Sequence, residues 1–539
     1  MENKINSIKY WGIVFIILLL GFILRVYNLD FPSIGYHNMK ENEYLSMAQE
    51  MLRTQDFISR RIYFYNAFDP EPQMHMYPQP PLVTYQILFM WKLFGNNLWS
   101  ARLFNILFGI LSIFIIYLIG VLLFKEKRPA LLSALLLAIM PLAVFFSRNL
   151  QPESPAFFFM LLGNYLFLKY IVSLNKRYLF FGGVAFSLAW LYKFSFLFGL
   201  LPFIFCFPFK TILREKSEFF KTASVLFFSF FIIPLTIIWL KHIGQWEFEK
   251  IHTLSRIKFL ELFSFDYWIK NGRMILWYLV DENFGWVFVL LAVFGILRAF
   301  SKKQKNLLEY YTIGWTVAIV PYSMFFSDFI NQHNYYQMPF LALICISAAY
   351  AIESVSKFMR NFLKHDLFVY ISCAVLILAS FFVYDSLKRM FGTVFLGEDV
   401  AGESLKEFTQ LQERIFLYSY SQGYAIARYA QRYAGWTDNL EEFKKNENKW
   451  NIRYICFYPA EFIHLLAQKN PPLFEYIKDN YHFKEAGITQ EPQQIYYLIL
   501  EKGKIPNSQD FLKNLSGKIQ LRNIYKLFGR YIFFYSLSP

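Results

Sequence analysis

The stretch YHNMKENEYLSMAQEML (36–52) places two carboxylates, Glu41 and Glu43, two residues apart. His37 and Lys40 stand just before them, and an apolar run with the length of a membrane helix precedes the stretch. A carboxylate can take a proton from an attacking hydroxyl, and a nearby cation can stabilise negative charge that develops during a reaction. The residue types therefore predict acid–base chemistry just outside a membrane.

A helix must position these carboxylates. From Tyr44 onward, apolar residues recur at i, i+3 and i+4 spacing, which is typical of an amphipathic helix. At about 100° per residue, Glu41 falls roughly 45° from the centre of the apolar stripe and Glu43 roughly 115° from it. We therefore expect Glu41 to face the protein. Glu43 is expected on the solvated side with Glu50, so the geometry favours Glu41 as a general base.

The composition predicts a polytopic membrane protein. Of 539 residues, 56% are hydrophobic and 21% aromatic, but only 17% are charged. Uncharged runs of about 18 residues or more are typical of membrane helices. We expect a mainly α membrane helical bundle with about eleven spans. They are 9–26, 99–124, 129–147, 155–174, 178–192, 194–209, 222–241, 283–299, 309–327, 337–355 and 367–384.

The basic clusters predict the orientation of these spans. With the N-terminus in the cytoplasm, the clusters at 125–128, 175–177, 210–221, 301–305 and 357–364 all fall on the cytoplasmic side, as the positive-inside rule requires. This distribution explains the net charge of +15 without a nucleic-acid partner. We read the first apolar run as a retained span of the cell membrane. The four cysteines form no CxxC motif and predict no disulfide framework.

The outer face then receives a long first loop (27–98) with surface helices, and a tail from residue 385 onward. In the tail, β-rich runs at 414–420, 452–458 and 494–500 alternate with helical patterns, which predicts a small extracytoplasmic α/β domain. The expected division is therefore a membrane domain over 1–384 and an α/β domain over 385–539.

Several polar residues from distant parts of the chain share this outer side. They are Glu41, Glu43, Glu153, Lys193, His333, Arg25, Arg102 and Arg148. Ordinary roles are open to them, because arginines at span ends usually reach for headgroups and loop carboxylates are usually solvated. Lys193 interrupts an otherwise apolar stretch, where a cation is costly and tends to be functional. His37 and Glu41 have a spacing that a metal could use, but no third ligand is evident, so we expect no cofactor and leave a divalent metal open.

The motifs together resemble those of the GT-C glycosyltransferases, and more narrowly the protein O-mannosyltransferase and aminoarabinose transferase relatives. Lys40-Glu41-Asn42-Glu43-Tyr44 resembles their DE-x-x-Y motif, with Lys40 at its first acidic position. A sister pattern aligns His37, Lys40 and Glu43 instead and makes Glu43 the base, so both carboxylates stay candidates. The further matches are YPQPPL (77–82), FG…ARL (94–103), SRNLQPE (147–153), YKFS (192–195) and HNYYQMP (333–339).

The resemblance covers roughly residues 9–384. It implies transfer of a sugar, with inversion, from a polyprenyl-phosphate donor to a lipid, glycan or protein acceptor at the outer membrane face. Glu41 or Glu43 would be the catalytic base. The implied substrate-binding residues are His37, Lys40, Arg102, Arg148, Glu153, Lys193, His333 and Tyr336. The alternative is a transporter or flippase of a lipid-linked sugar, which usually carries broken helices and ionisable groups near the midplane.

Overall fold

The computed structural model describes residues 2–64, 79–244, 261–419, 423–491, 493–503 and 517–539, with only the backbone of 2–9. The start of the YPQPPL motif (77–78) and residues 245–260, between the predicted spans 222–241 and 283–299, lie outside these ranges. The helices are α1 Glu2–Val26, α2 Asn38–Thr54, α3 Leu82–Phe94, α4 Leu98–Phe124, α5 Lys127–Ile139, α6 Pro141–Phe146, α7 Glu153–Ser173, α8 Lys176–Tyr192, α9 Phe203–Cys206, α10 Phe209–Leu213, α11 Lys216–Phe230, α12 Ile232–His242, α13 Phe265–Trp277, α14 Trp286–Ser301, α15 Leu307–Phe325, α16 Ser327–Ile330, α17 Leu341–Leu363, α18 Phe368–Gly392, α19 Glu398–Phe408, α20 Gly423–Ala430, α21 Leu440–Trp450, α22 Phe462–Lys469 and α23 Pro471–Asn480.

Every apolar segment predicted to span the membrane is helical over part or all of its length. Within the described residues, 5 helices are long and apolar enough to cross a membrane, or up to 6 if α13 with its π-helical end Tyr278–Asn283 and α14, bent by 103°, form one span. The predicted span 194–209 is irregular, because it begins as a 3-10 helix, Phe194–Leu200, directly after Lys193. The protein is thus a multi-pass membrane protein, and the number of about eleven spans stays a prediction.

Seven strands form one sheet in the C-terminal part. They are β1 Ile415–Tyr418, β2 Ala434–Gly435, β3 Tyr454–Phe457, β4 Tyr481–Gln490, β5 Gln493–Lys502, β6 Lys518–Leu527 and β7 Arg530–Ser538. Their order is β2-β1-β3-β5-β4-β7-β6. β1 pairs in parallel with β2 and β3, and the remaining pairs are antiparallel. The three predicted β-rich runs coincide with β1, β3 and β5.

The first-loop helix α2 does not lie on the surface. Its polar side packs against α20, where Arg428 Nε donates to Asn42 Oδ1 at 3.0 Å, and Glu50 accepts a hydrogen bond of 2.5 Å from the Tyr433 hydroxyl. Glu43 and Glu50 are only 1% and 2% exposed. The prediction that they face water is therefore wrong. A helical periodicity describes one helix, and it cannot show that a distant part of the chain covers the polar side.

The first loop and the C-terminal part share one apolar core. Met47 and Ala48 of α2 belong to the same buried cluster as Leu405 of α19 and Ile426 of α20. By contrast, α3 keeps Phe89 exposed, together with the side chains near its end. Helix α2 is consequently packed between the rest of the first loop and the C-terminal part of the chain.

Asn42 is the polar centre of this contact, since its amide also donates to the carbonyls of Ser33 at 2.6 Å and Asn38 at 2.9 Å. We expect Asn42→Ala to lower the free energy of unfolding by about 2–3 kcal/mol, because it leaves buried groups without partners. Thermal unfolding in detergent measures the change. The matched control is Asn448→Ala on the exposed side of α21, with a change within about 0.5 kcal/mol. Equal losses of stability in the two variants would contradict this account of the contact.

Candidate functional site

A cleft of about 520 Å³ opens beside the first turns of α2 and α7. Its walls include Lys40 and Tyr44 from α2, Gln151 and Glu153 from the turn into α7, Lys193 from the end of α8, and Tyr336. These residues come from four separate parts of the chain. Lys40 stands in the first turn of α2, Gln151 and Glu153 at the start of α7 and Lys193 at the break after α8. At such positions the backbone changes direction and a polar side chain can project into the adjoining space.

The centre of the cleft is an ion pair between Glu153 and Lys193. Lys193 Nζ donates to Glu153 Oε1 at 2.5 Å and lies 3.9 Å from the ring centre of Tyr336. The break after α8 supplies this ammonium, and the first turn of α7, where the helix dipole favours an acidic group, supplies the carboxylate. Glu153 Oε2 is buried and has no hydrogen-bond partner among the described residues. One oxygen of the carboxylate is thus fixed by Lys193, and the other is a buried acceptor without a hydrogen-bond partner among the described residues.

A second ion pair borders the cleft on α2. Lys40 Nζ donates to Glu43 Oε2 at 2.9 Å, and the Glu43 side chain is 2% exposed. Glu43 and Glu153 both lie within electrostatic range of Tyr335, which also lines the cleft. Two carboxylates and two ammonium groups are therefore gathered around one space.

The two predicted histidines pack behind the tyrosines. His37 takes a left-handed conformation (φ 55°) at the start of α2, and its ring centre lies 5.2 Å from Tyr335 and 5.9 Å from His333. The His333 ring stacks on Tyr335 at 5.1 Å. Burial lowers the pKa of His37 to about 4, so this ring is neutral at pH 7 and contributes shape rather than charge.

Glu41 makes a different set of contacts. Arg102 of α4 donates from Nε to Oε1 at 2.9 Å and from Nη2 to Oε2 at 2.7 Å. Ser33 Oγ donates to Oε2 at 2.5 Å. Burial raises the pKa of a carboxyl, but the charge and hydrogen bonds of Arg102 prevail and hold the pKa of Glu41 at about 2. As expected, Glu41 faces the protein, but both of its oxygens are engaged.

The three arginines at the predicted span ends are buried, at 1% exposure for Arg25, 3% for Arg102 and 4% for Arg148. Arg148 donates to the carbonyls of Tyr27 at 2.8 Å and Asn28 at 2.9 Å. Arg25 donates to Ser147 Oγ at 2.6 Å. These contacts exclude headgroup snorkelling and tie the start of the first loop to α4 and to the turn before α7.

The structure therefore divides the predicted site residues into two groups. His37, Lys40, Glu43, Glu153, Lys193, His333 and Tyr336 lie in or directly behind the cleft. Glu41, Arg102 and Arg148 line a small neighbouring cavity instead. Sequence reasoning missed Tyr44, Gln151, Tyr192 and Tyr335 as cleft residues, although Gln151 and Tyr335 belong to the quoted SRNLQPE and HNYYQMP motifs. Among the described side chains, no group of three or more His, Cys, Asp or Glu could hold a metal ion.

Comparison with known proteins identifies a matching family model and a related sequence. Residues 78–239 match the family model described as dolichyl-phosphate-mannose-protein mannosyltransferase. An uncharacterised protein of Aquifex aeolicus (strain VF5) is 24% identical over 389 residues, which cover 69% of this chain and 70% of that protein.

Two solved structures are similar over nearly the whole chain. The archaeal oligosaccharyltransferase AglB from Archaeoglobus fulgidus, in complex with an inhibitory peptide and a dolichol-phosphate, has a TM-score of 0.58 and 13% identity, covering 93% of this chain and 75% of its own. ArnT from Cupriavidus metallidurans, bound to undecaprenyl phosphate, has a TM-score of 0.57 and 12% identity, covering 91% and 98%. The chain has the GT-C fold. The resemblance to GT-C glycosyltransferases that the motifs predicted is confirmed at the level of the fold.

The Glu41–Arg102 pair predicts a stability effect. Glu41→Ala leaves the Arg102 guanidinium buried without its counter-charge, and we expect a loss of about 3–5 kcal/mol in the free energy of unfolding. Thermal unfolding in detergent measures it. Glu218→Ala is the control, because Glu218 forms a solvent-exposed pair with Lys176 and exposed pairs contribute little to stability. If both variants unfold at the same temperature, Glu41 has no such structural role.

The same pair predicts a dependence on pH. The pKa of Glu41 is held at about 2 in the folded protein, below its ordinary 4.5. Its stabilising contribution is therefore fully present above pH 4.5 and is lost as the pH falls towards 2. The unfolding temperature of the unmodified protein should fall more steeply over this window than that of Glu41→Ala. Parallel curves would show that Glu41 does not carry the depressed pKa.

Proposed function

We propose that the protein transfers a sugar from a polyprenyl-phosphate carrier to an acceptor hydroxyl at the outer face of the cell membrane. The observation that carries the proposal is the Oε2 of Glu153, which has no hydrogen-bond partner among the described residues, in a cleft that Lys40 and Lys193 also line. Supporting it, the ArnT and AglB structures contain undecaprenyl phosphate and dolichol-phosphate respectively.

The cations of the cleft suit the phosphate of such a donor. A leaving phosphate gains negative charge as its bond to the sugar breaks, and a positioned ammonium stabilises that charge. Lys193 is held in place by Glu153 and by the faces of Tyr335 and Tyr336. Lys40 is held by Glu43. In this assignment Glu43 orients a phosphate-binding lysine.

Glu153 is the proposed base. Its Oε2 accepts the proton of the acceptor hydroxyl while the hydroxyl oxygen forms a bond to the anomeric carbon. The bond from that carbon to the phosphate oxygen breaks, and its electron pair leaves with the phosphate. Phosphate is a weak base, so no general acid is needed. Attack from the side opposite the phosphate inverts the anomeric centre.

This assignment differs from the roles that the motifs suggested for Glu41 and Glu43. Both oxygens of Glu41 accept hydrogen bonds from Arg102, and the low pKa makes Glu41 a poor proton acceptor. Glu43 and Glu153 are both buried and each is paired with a lysine. Glu153 is preferred because it lines the cleft itself and has one oxygen without a hydrogen-bond partner among the described residues.

An apolar surface lies next to the cleft for the prenyl chain. Gln86 of α3 donates to the hydroxyl of the cleft residue Tyr192, and the same helix leaves Phe89, Leu93 and Phe94 exposed. A sugar phosphate in the cleft could thus keep its hydrocarbon chain along α3 and in the lipid. We further propose that the C-terminal α/β part stands on this same outer side, with the N-terminus in the cytoplasm.

Transfer of radiolabelled sugar from undecaprenyl-phosphate donors by the purified protein tests the proposal. Glu153→Gln should lower kcat by about 10²- to 10⁴-fold with little change in donor KM, because it removes the proton acceptor and keeps the shape. Lys193→Met should raise donor KM by at least about tenfold, because it removes the cation at the phosphate. Glu218→Gln is the control and should behave like the unmodified protein.

The outcomes separate the candidate bases and functions. If Glu43→Gln removes turnover at unchanged donor KM while Glu153→Gln retains it, Glu43 is the base. If the protein moves lipid-linked sugars between leaflets without transferring them, it is a transporter and the glycosyltransferase proposal fails.

A further inference from the structure

A second cleft of about 830 Å³ lies between the π-helical turn Tyr278–Asn283 and the last turns of α18. Its walls include Tyr36, Trp277, Glu282, Lys388, Arg389 and Thr393. None of the groups assigned above to the donor phosphate or to the proton transfer lines it. The mechanism proposed so far therefore leaves this space without a role.

A buried carboxylate forms the floor of this second cleft. Glu282 is 3% exposed, and its Oε1 accepts hydrogen bonds of 2.6 Å from the Tyr36 hydroxyl and from Asn334 Nδ2. Its Oε2 is buried and, in the part of the chain that the structure describes, accepts no hydrogen bond. An unsatisfied buried carboxylate oxygen is costly. A ligand that brings a hydroxyl donor to this oxygen would remove that cost.

Cations stand at the rim of the same cleft. Lys388 and Arg389 follow one another on α18, and both are exposed. Arg389 is oriented by Asp385 and by the carbonyl of Asp281. Asp385 lines the cleft as well and forms an ion pair with Arg389. The Glu282 carboxylate at the floor and the Lys388 ammonium beside this pair at the mouth fit a ligand that carries both hydroxyls and an anionic group.

The cleft opens where lipid can reach it. Helix α18 is among the helices long and apolar enough to span a membrane, and the cleft residues occupy its last turns. One turn below them, Phe381 is 75% and Tyr384 60% exposed, and Trp277 on the opposite wall is 38% exposed. An apolar surface of this kind directly beneath a polar cleft suits the boundary between hydrocarbon and headgroups.

The two clefts are neighbours, because one histidine contacts a lining residue of each. The ring of Tyr36, which lines the second cleft, lies 4.2 Å from that of His37, and His37 lies 5.2 Å from Tyr335, which lines the first. A transferase has to bring two substrates to one point, and neighbouring clefts suit that requirement.

We infer that the second cleft binds the acceptor, and that the acceptor is an amphiphile whose headgroup carries hydroxyls and a phosphate. Glu282 hydrogen-bonds a headgroup hydroxyl, and Lys388 neutralises the phosphate. This inference rests on the proposed glycosyltransferase function, because it assigns the second substrate of that reaction.

Lipid binding to the purified full-length protein tests the inference, with native mass spectrometry as the readout. The probes are phosphatidylglycerol, which has hydroxyls and a phosphate, phosphatidylcholine as its hydroxyl-free counterpart, and undecaprenyl phosphate for the first cleft. Glu282→Gln and Lys388→Ala should each weaken phosphatidylglycerol binding by at least about tenfold and leave undecaprenyl phosphate binding unchanged. Lys364→Ala, an exposed lysine just after α17, is the matched control and should change neither.

Each outcome has a defined meaning. Unchanged phosphatidylglycerol binding in both variants, or equal binding of phosphatidylcholine, overturns the inference. Loss of undecaprenyl phosphate in these variants would make the second cleft the donor site and also overturns it. Displacement of the lipid by free glycerol 3-phosphate at equal concentration overturns the assignment to a lipid. If the unmodified protein does not bind undecaprenyl phosphate, the proposed function is contradicted. If it binds undecaprenyl phosphate but the two second-cleft variants do not change phosphatidylglycerol binding, this inference alone is refuted. Lys388 is exposed, so its variant tests the inference even if Glu282→Gln does not fold.

Discussion

The buried ion pair between Glu41 and Arg102 is the contact on which the rest of the site depends. Taking two charges out of water is costly, and it is repaid only when the geometry is good and the remaining donors are satisfied. Here Arg102 uses two nitrogens on the carboxylate and donates from Nη1 to the carbonyls of Leu29 and Phe31, each at 2.7 Å. The pair thereby connects α2, α4 and the start of the first loop. Because these three segments are fixed relative to one another, the Lys40 and Glu43 side chains lie beside the cleft.

The C-terminal part completes this arrangement from the other side. Asn38 at the start of α2 donates to Glu398 Oε2 at 2.6 Å, and burial raises the pKa of Glu398 well above its ordinary value. Arg428 and Tyr433 contact α2 further along. The α/β part is therefore a structural component of the site, because it covers the polar side of the helix that carries Lys40 and Glu43. This gives it a role that does not depend on selecting an acceptor.

The sequence predicts features that depend on a single segment, but it does not predict those that depend on contacts between distant segments. Long apolar runs report on a single segment, so the helices, including α4 and α18, could be predicted from composition. The inward direction of Glu41 could be predicted too, because it depends on the periodicity of one helix. The burial of Asn42 and Glu50 could not, since Arg428 and Tyr433 contact them from almost 400 residues away. The same holds for Arg102, whose partner Glu41 is separated by 61 residues. Glu282 gave no signal, because its partners Tyr36 and Asn334 meet it only in the folded chain.

The placement of polar groups at helix ends follows from the membrane itself. Inside hydrocarbon every backbone group must be bonded within a helix, so irregular backbone is restricted to the boundary or to the protein interior. Glu153 begins α7, Lys193 ends α8, and Glu282 lies in a π-helical turn. Such positions can present charges to a headgroup while the adjoining helices keep contact with lipid. An amphiphilic donor and an amphiphilic acceptor can then each stay anchored in the bilayer, enter the two neighbouring clefts, and react without either hydrocarbon chain leaving the membrane.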